Sequence, residues 1–231
     1  MANGQKILFD YADIRCEDDP ENLRIPLGEE LRKNLKDANR DFFEVVAFTH
    51  LDNDHICKGS EFFHLEHAEK YQGECRPKIW ELWVPAAAVI EEGCTDEDRI
   101  IRSEARHRLR SGRGIRVFSR PGKLKEWLEG EGLTMESRQH LFTDAGQLIP
   151  GFSLGGQEVE FFVHSPFGKR LNEVEVIDRN IDSLMPAENC CRTNISRLGR
   201  GTWVTLRIQF HKIPLVTNAL RKRPRGMLVE H

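Results

Sequence analysis

The chain has 231 residues, 39% of them hydrophobic and 31% charged, with a formal net charge of −3. That is enough apolar material for a core, held in one large domain or two small ones. No stretch approaches the roughly 18 apolar residues of a membrane span, and the first residues show no basic segment followed by an apolar one, so the expected location is cytoplasmic and no membrane partner is expected.

Residues 6–12 read as a strand, residues 28–35 as a short amphipathic helix, and the apolar run that starts at Phe42 as a second strand ending at Thr49. Residues 61–71 carry apolar side chains at helical spacing, with Gly73 as the stop. Residues 79–84 alternate apolar and polar before Pro85, as a strand does. Thr95 and Asp98 have the spacing of a capping box for a highly charged helix that runs to about Arg110 and stops at Gly112. A short strand over 115–118, a helix from Pro121 through Leu128 and a strand over 159–163 follow. Alternating strands and helices predict an α/β layered fold, with functional residues on loops beyond strand ends.

The chemistry concentrates behind the second strand. In Thr49-His50-Leu51-Asp52-Asn53-Asp54-His55, four potential ligands (His50, Asp52, Asp54 and His55) occupy a single turn. Imidazole and carboxylate together suit zinc, manganese or iron. The alternative is a polar loop that caps the helix expected near Gly59. His164 is a second histidine delivered by a strand end. It reads as a further ligand or as a histidine bonded to a backbone carbonyl. Cys57, two residues past His55, reads either as a thiol within reach of the same cleft or as a small buried side chain. The six cysteines, Cys16, Cys57, Cys75, Cys94, Cys190 and Cys191, show no CxxC spacing and read as reduced thiols.

Two other groups carry both a functional and a plain reading. His64 and His67 share a face if 61–71 is helical, as a metal pair or as solvated side chains interleaved with Glu66 and Glu69. Arg99, Arg102, Arg106, Arg108 and Arg110 offer a phosphate-facing stripe, or a solvent face bridged by Glu97 and Glu104. Residues 185–231 hold nine Lys and Arg against two Glu and no Asp. This reads as a basic, divergent tail of uncertain structure, solvated or bound to nucleic acid. The chain shows no phosphate loop, serine nucleophile elbow or GxGxxG.

The turn from Thr49 to His55 resembles the first metal motif, HxHxDH, of the metallo-β-lactamase superfamily, in the variant HxDxDH. That variant is familiar from hydrolase domains of bacterial DNA-uptake channel proteins and from bacterial stand-alone members. Phe9-Asp10 before the motif, Leu82-Trp83-Val84-Pro85-Ala86, Arg116-Val117-Phe118-Ser119-Arg120-Pro121, Val163-His164-Ser165-Pro166-Phe167 and Asp178-Arg179-Asn180-Ile181-Asp182-Ser183-Leu184 look similar to the same group. The likeness spans roughly residues 5–184. It implies an αββα sandwich lacking part of its second half, with residues 1–184 as the metallo-β-lactamase-like domain.

The resemblance also implies roles. His50 and Asp52 hold a first ion, Asp54 and His55 a second, and His164 is a further first-site ligand. Zinc is the expected ion, with manganese or iron as alternatives. Metal-bound hydroxide is the nucleophile, with Asp54 as the catalytic residue that orients or deprotonates it. The substrate by analogy is a phosphodiester in a nucleotide or nucleic acid. The family pattern then breaks: no aspartate follows Asp182, so the carboxylate expected to bridge two ions has no counterpart. Asp178, Asp182 and His211 are the candidate stand-ins. A different class of function fits that break: a catalytically incomplete metal-binding or interaction domain serving a partner protein or nucleic acid.

Overall fold

A computed structural model describes residues 4–15, 23–73, 75–152, 159–164, 169–171, 174–176, 195–198 and 202–208. Cys16, Asp178, Asp182, Cys190, Cys191 and His211 lie outside the described residues. The fold is mixed α/β and is built on a parallel sheet. Five strands, β1 (Ile7–Phe9), β2 (Phe42–Ala47), β3 (Lys78–Pro85), β4 (Ile115–Phe118) and β5 (Phe142–Thr143), stand side by side in chain order, every pair parallel. Parallel neighbours need a crossover, and helices supply each one. They are α1 (Leu27–Asp37), the single turns α2 (Asn53–Ile56) and α3 (Gly59–Phe62), α4 (Ala87–Ile90) with α5 (Asp96–Ser111), and α6 (Gly122–Gly130).

Side-chain alternation divides the sheet between two cores. Val46, Phe48, Leu82, Val84 and Val117 join Ile101, Ala105, Leu109, Leu124 and Leu128 from the helices. Their neighbours Val45, Ala47, Trp83 and Phe118 face the other way, onto Ile149, Phe152, Phe161 and Val163. Trp83 is the hub of this second core, with the rings of Phe118, Phe152 and Phe161 all edge-on to it at 5.3–5.8 Å. Phe161 and Val163 belong to β6 (Val159–Val163), which pairs antiparallel with β10 (Thr202–Ile208), itself paired with β9 (Ile195–Leu198). The sheet therefore has helices on one face and a strand layer on the other. β10 lies inside the segment expected as a tail. A separate hairpin joins β7 (Lys169–Leu171) to β8 (Val174–Val176).

The strands over 78–85, 115–118 and 159–163 and the helices near 28–35, 96–110 and 121–128 fall where the sequence predicts them, within two or three residues. Gly112 ends α5 in a left-handed conformation at φ +74°, with its amide donating to the Arg108 carbonyl at 2.9 Å.

Three local expectations are corrected. Residues 61–71 do not form one helix: α3 stops at Phe62, and a single 3-10 turn covers Glu69–Tyr71. The backbone between them bonds elsewhere. The amides of Glu66 and His67 donate to the Glu104 carboxylate at 3.0 and 2.8 Å, and that of His64 donates to the Pro77 carbonyl at 2.9 Å. His64 and His67 consequently share no helical face. Nor is the charged face of α5 wholly solvated. Glu104 and Arg108 are buried, joined by a 2.7 Å ion pair, with Arg108 also donating to the carbonyls of Ile79 at 3.1 Å and Gly114 at 2.9 Å. The Glu97 carboxylate accepts the Ser60 amide and, at 2.8 Å, the Ser60 hydroxyl. Finally, Thr95 caps α5 without a side-chain bond, and the Asp98 carboxylate accepts the adjacent Arg99 amide at 2.8 Å.

Candidate metal centre

In a parallel α/β sheet, ligands gather beyond the carboxyl ends of the strands. Here β1 ends into Asp10, and β2 ends into Thr49 and the turn that follows. Asp10 adopts a left-handed backbone, φ +55°. This conformation is uncommon outside glycine but tolerated by aspartate. It aims the carboxylate across to the neighbouring turn. Oδ1 accepts the Thr49 amide at 2.7 Å, and Oδ2 accepts the Thr49 hydroxyl at 2.8 Å. The same Oδ2 lies 2.8 Å from His55 Nδ1.

This network sets the histidine tautomers. The single hydroxyl hydrogen of Thr49 goes to Asp10, so His50 Nδ1, 3.2 Å away, is the donor to that hydroxyl. His55 Nδ1 likewise carries the hydrogen that meets Asp10. In their neutral form both rings then present a lone pair at Nε2. His50 is buried, and burial is the main reason its pKa lies below the ordinary imidazole value, with the neighbouring His55 adding to the effect. The two ring centroids are 3.6 Å apart, too close for two imidazolium ions to coexist comfortably.

Each lone pair faces a carboxylate. His50 Nε2 lies 3.4 Å from Asp52 Oδ2, and His55 Nε2 lies 3.5 Å from Asp54 Oδ2. In the neutral rings these are contacts between electron-rich atoms, and a proton or a metal ion at Nε2 relieves the repulsion. Two ligands of one tetrahedral zinc ion stand about 3.4 Å apart when each bond is near 2.1 Å. The donor set and its spacing therefore fit a divalent metal. His50, Asp54 and His55 bring one ligand atom each to within 4.8 Å of one another, a group able to hold an ion. The identity of the ion does not follow from this geometry, since zinc, manganese and iron share these ligands.

The remaining sequence candidates lie outside that group. Asp52 approaches through His50, with its side chain about one-third exposed. His164 follows the last residue of β6, its ring 4.9 Å from that of Phe162, and burial lowers its pKa. Cys57 turns away, its thiol donating to the Asp13 carbonyl at 3.6 Å, with burial raising its pKa. A thiol held protonated is a poor ligand.

Asp10 and Thr49 are the functional residues that motif reading alone leaves without a role. The signal available was a single one: an aspartate directly after a strand that neighbours the motif strand. Comparison of the chain with protein-family models, curated proteins and solved structures gave no match.

Proposed function

We propose that the chain is a metal-dependent hydrolase of the metallo-β-lactamase type, acting on a phosphodiester of a nucleotide or nucleic acid. The observation that carries this reading is the pairing of His50 Nε2 with Asp52 and of His55 Nε2 with Asp54 at ligand-to-ligand spacing. A sheet with helices on one face and a strand layer on the other supports the αββα sandwich as its architecture. Zinc is the proposed ion, and His164, directly after β6, is the further ligand that the resemblance implies. When bound, the metal lowers the pKa of water and polarises the substrate oxygen.

The chain's own residues do the rest. Asp10 and Thr49 fix both imidazoles in the tautomer that presents Nε2. Asp54, its side chain 73% exposed at the mouth of the turn, orients the attacking water and takes its proton. Leu51 and Ile56, which alternate with the ligands in the same turn, are buried in the helix-side core and anchor that turn.

A second reading has its own support. No aspartate follows Asp182 in this sequence, so the bridging aspartate that the resemblance implies has no counterpart there. A chain that binds metal stoichiometrically but hydrolyses nothing serves as a binding module. The test is hydrolysis of a chromogenic phosphodiester by zinc-, manganese- and iron-loaded protein, beside Asp54→Ala. Turnover lost in the variant supports the enzyme, whereas metal uptake without turnover in any loaded form assigns the module.

A further inference from the structure

A groove of about 470 Å³ opens at the end of the sheet opposite to the metal centre, between the carboxyl end of α1 and the residues that lead into β2 and β3. β2 itself separates it from His50 by roughly 20 Å of extended chain. Arg32, Lys36 and Arg40 line it at four-residue spacing, against a single acid, Asp41. Asp41 is neutralised by Lys78 at 2.9 Å, and that bond holds its pKa low. Arg40 pairs with Glu44 and the Arg32 guanidinium lies 4.8 Å from the centre of the Phe62 ring, whereas Lys36 makes no ion pair among the described residues. The groove is thus electropositive.

Arg40 joins the groove to an aromatic pair outside its lining. The Arg40 guanidinium lies 5.1 Å from the centre of the Phe42 ring, and Phe42 stacks on Trp80 at 4.1 Å with the planes only 4° apart. Trp80 is nevertheless 59% exposed, an indole open to solvent and linked to the groove through Phe42 and Arg40. An exposed indole keeps a planar surface on which another ring can stack. Cations that follow a backbone, next to a planar ring on which a base can stack, are the two components of single-strand nucleic-acid binding.

We propose that Arg32, Lys36, Arg40 and the Phe42–Trp80 stack form a binding surface for single-stranded nucleic acid. The phosphates run along the cations and a base lies on the free face of Trp80. The surface recognises charge and stacking, not sequence, because it presents no donor or acceptor set aimed at base edges. It is separate from the metal centre and does not depend on hydrolysis.

Fluorescence anisotropy of a labelled oligothymidylate of about 16 nucleotides, titrated with the full-length chain at several salt concentrations, tests it. Trp80→Ala is expected to weaken binding about ten-fold, with Trp80→Phe restoring most of the affinity. Lys36→Glu is expected to flatten the dependence of affinity on salt. With divalent metal removed by a chelator throughout, binding is expected to persist, which separates this result from the fate of the metal reading. Both exposed-site variants should keep the wild-type denaturation midpoint. Absence of binding by the wild type, equal affinity for a duplex of the same length, or wild-type affinity in Trp80→Ala and Lys36→Glu overturns the proposal. So does displacement by polyglutamate as effective as by unlabelled oligothymidylate, which would assign the groove to acidic peptides.

Discussion

The carboxylate of Asp10 lies 2.8 Å from Nδ1 of His55, across 45 residues of sequence, and its second oxygen accepts the Thr49 amide. One side chain therefore ties the end of β1 to the turn beyond β2 and fixes which nitrogen of His55 is offered to a ligand.

Asp10→Asn keeps an oxygen for the Thr49 amide but replaces a charged acceptor by a neutral one. Metal affinity is expected to fall 10- to 100-fold, the usual cost of losing such an outer partner. Competition with a chromophoric chelator measures it. An unchanged affinity means that His55 is oriented without Asp10.

Glu104 and Arg108 form a buried pair in which the carboxylate also accepts two backbone amides. Glu104→Ala leaves the buried Arg108 with only the longer Glu66 contact at 3.7 Å and frees the amides of Glu66 and His67. A loss of about 3–5 kcal/mol is expected in urea denaturation. The double substitution Glu104→Leu, Arg108→Met should lose less than Glu104→Ala alone, because no charge is left unpaired. The opposite order would mean that the backbone anchoring, not the charge, governs stability.

Tyr11 is buried, stacked at 4.6 Å on Phe62, and burial raises its pKa far above the ordinary phenol value. An acid whose folded pKa is raised keeps its proton in the folded state after the unfolded chain has lost it. The associated stability is fully present below about pH 10, the free phenol value, and declines as pH rises beyond it. In a Tyr71→Phe background, which leaves Tyr11 as the sole tyrosine, tyrosinate absorbance should appear together with loss of helical dichroism. Tyrosinate forming before any unfolding would contradict the burial.

Much of the fold was legible because α5, β4 and β6 are decided locally, by charge, β-branched content and a stop at Gly112. Residues 61–71 were not legible. Their apolar spacing suits a helix, yet Glu104, about 38 residues away, captures the amides that a helix would use. Glu104 and Arg108 themselves stand four apart on a charged helix, and nothing local distinguishes that buried pair from a solvent-exposed one. The ligand turn was readable as residue types in sequence. Its orientation by Asp10 was not, since that contact exists only once β1 and β2 lie side by side.

Elemental mass spectrometry of the purified full-length chain, beside His50→Ala, Asp54→Ala, tests the metal centre most directly. The account predicts divalent metal in stoichiometric amount with the wild type and its loss in the double variant, with unchanged helical dichroism. A wild type that stays metal-free after loading, or a variant that retains the same metal, contradicts it.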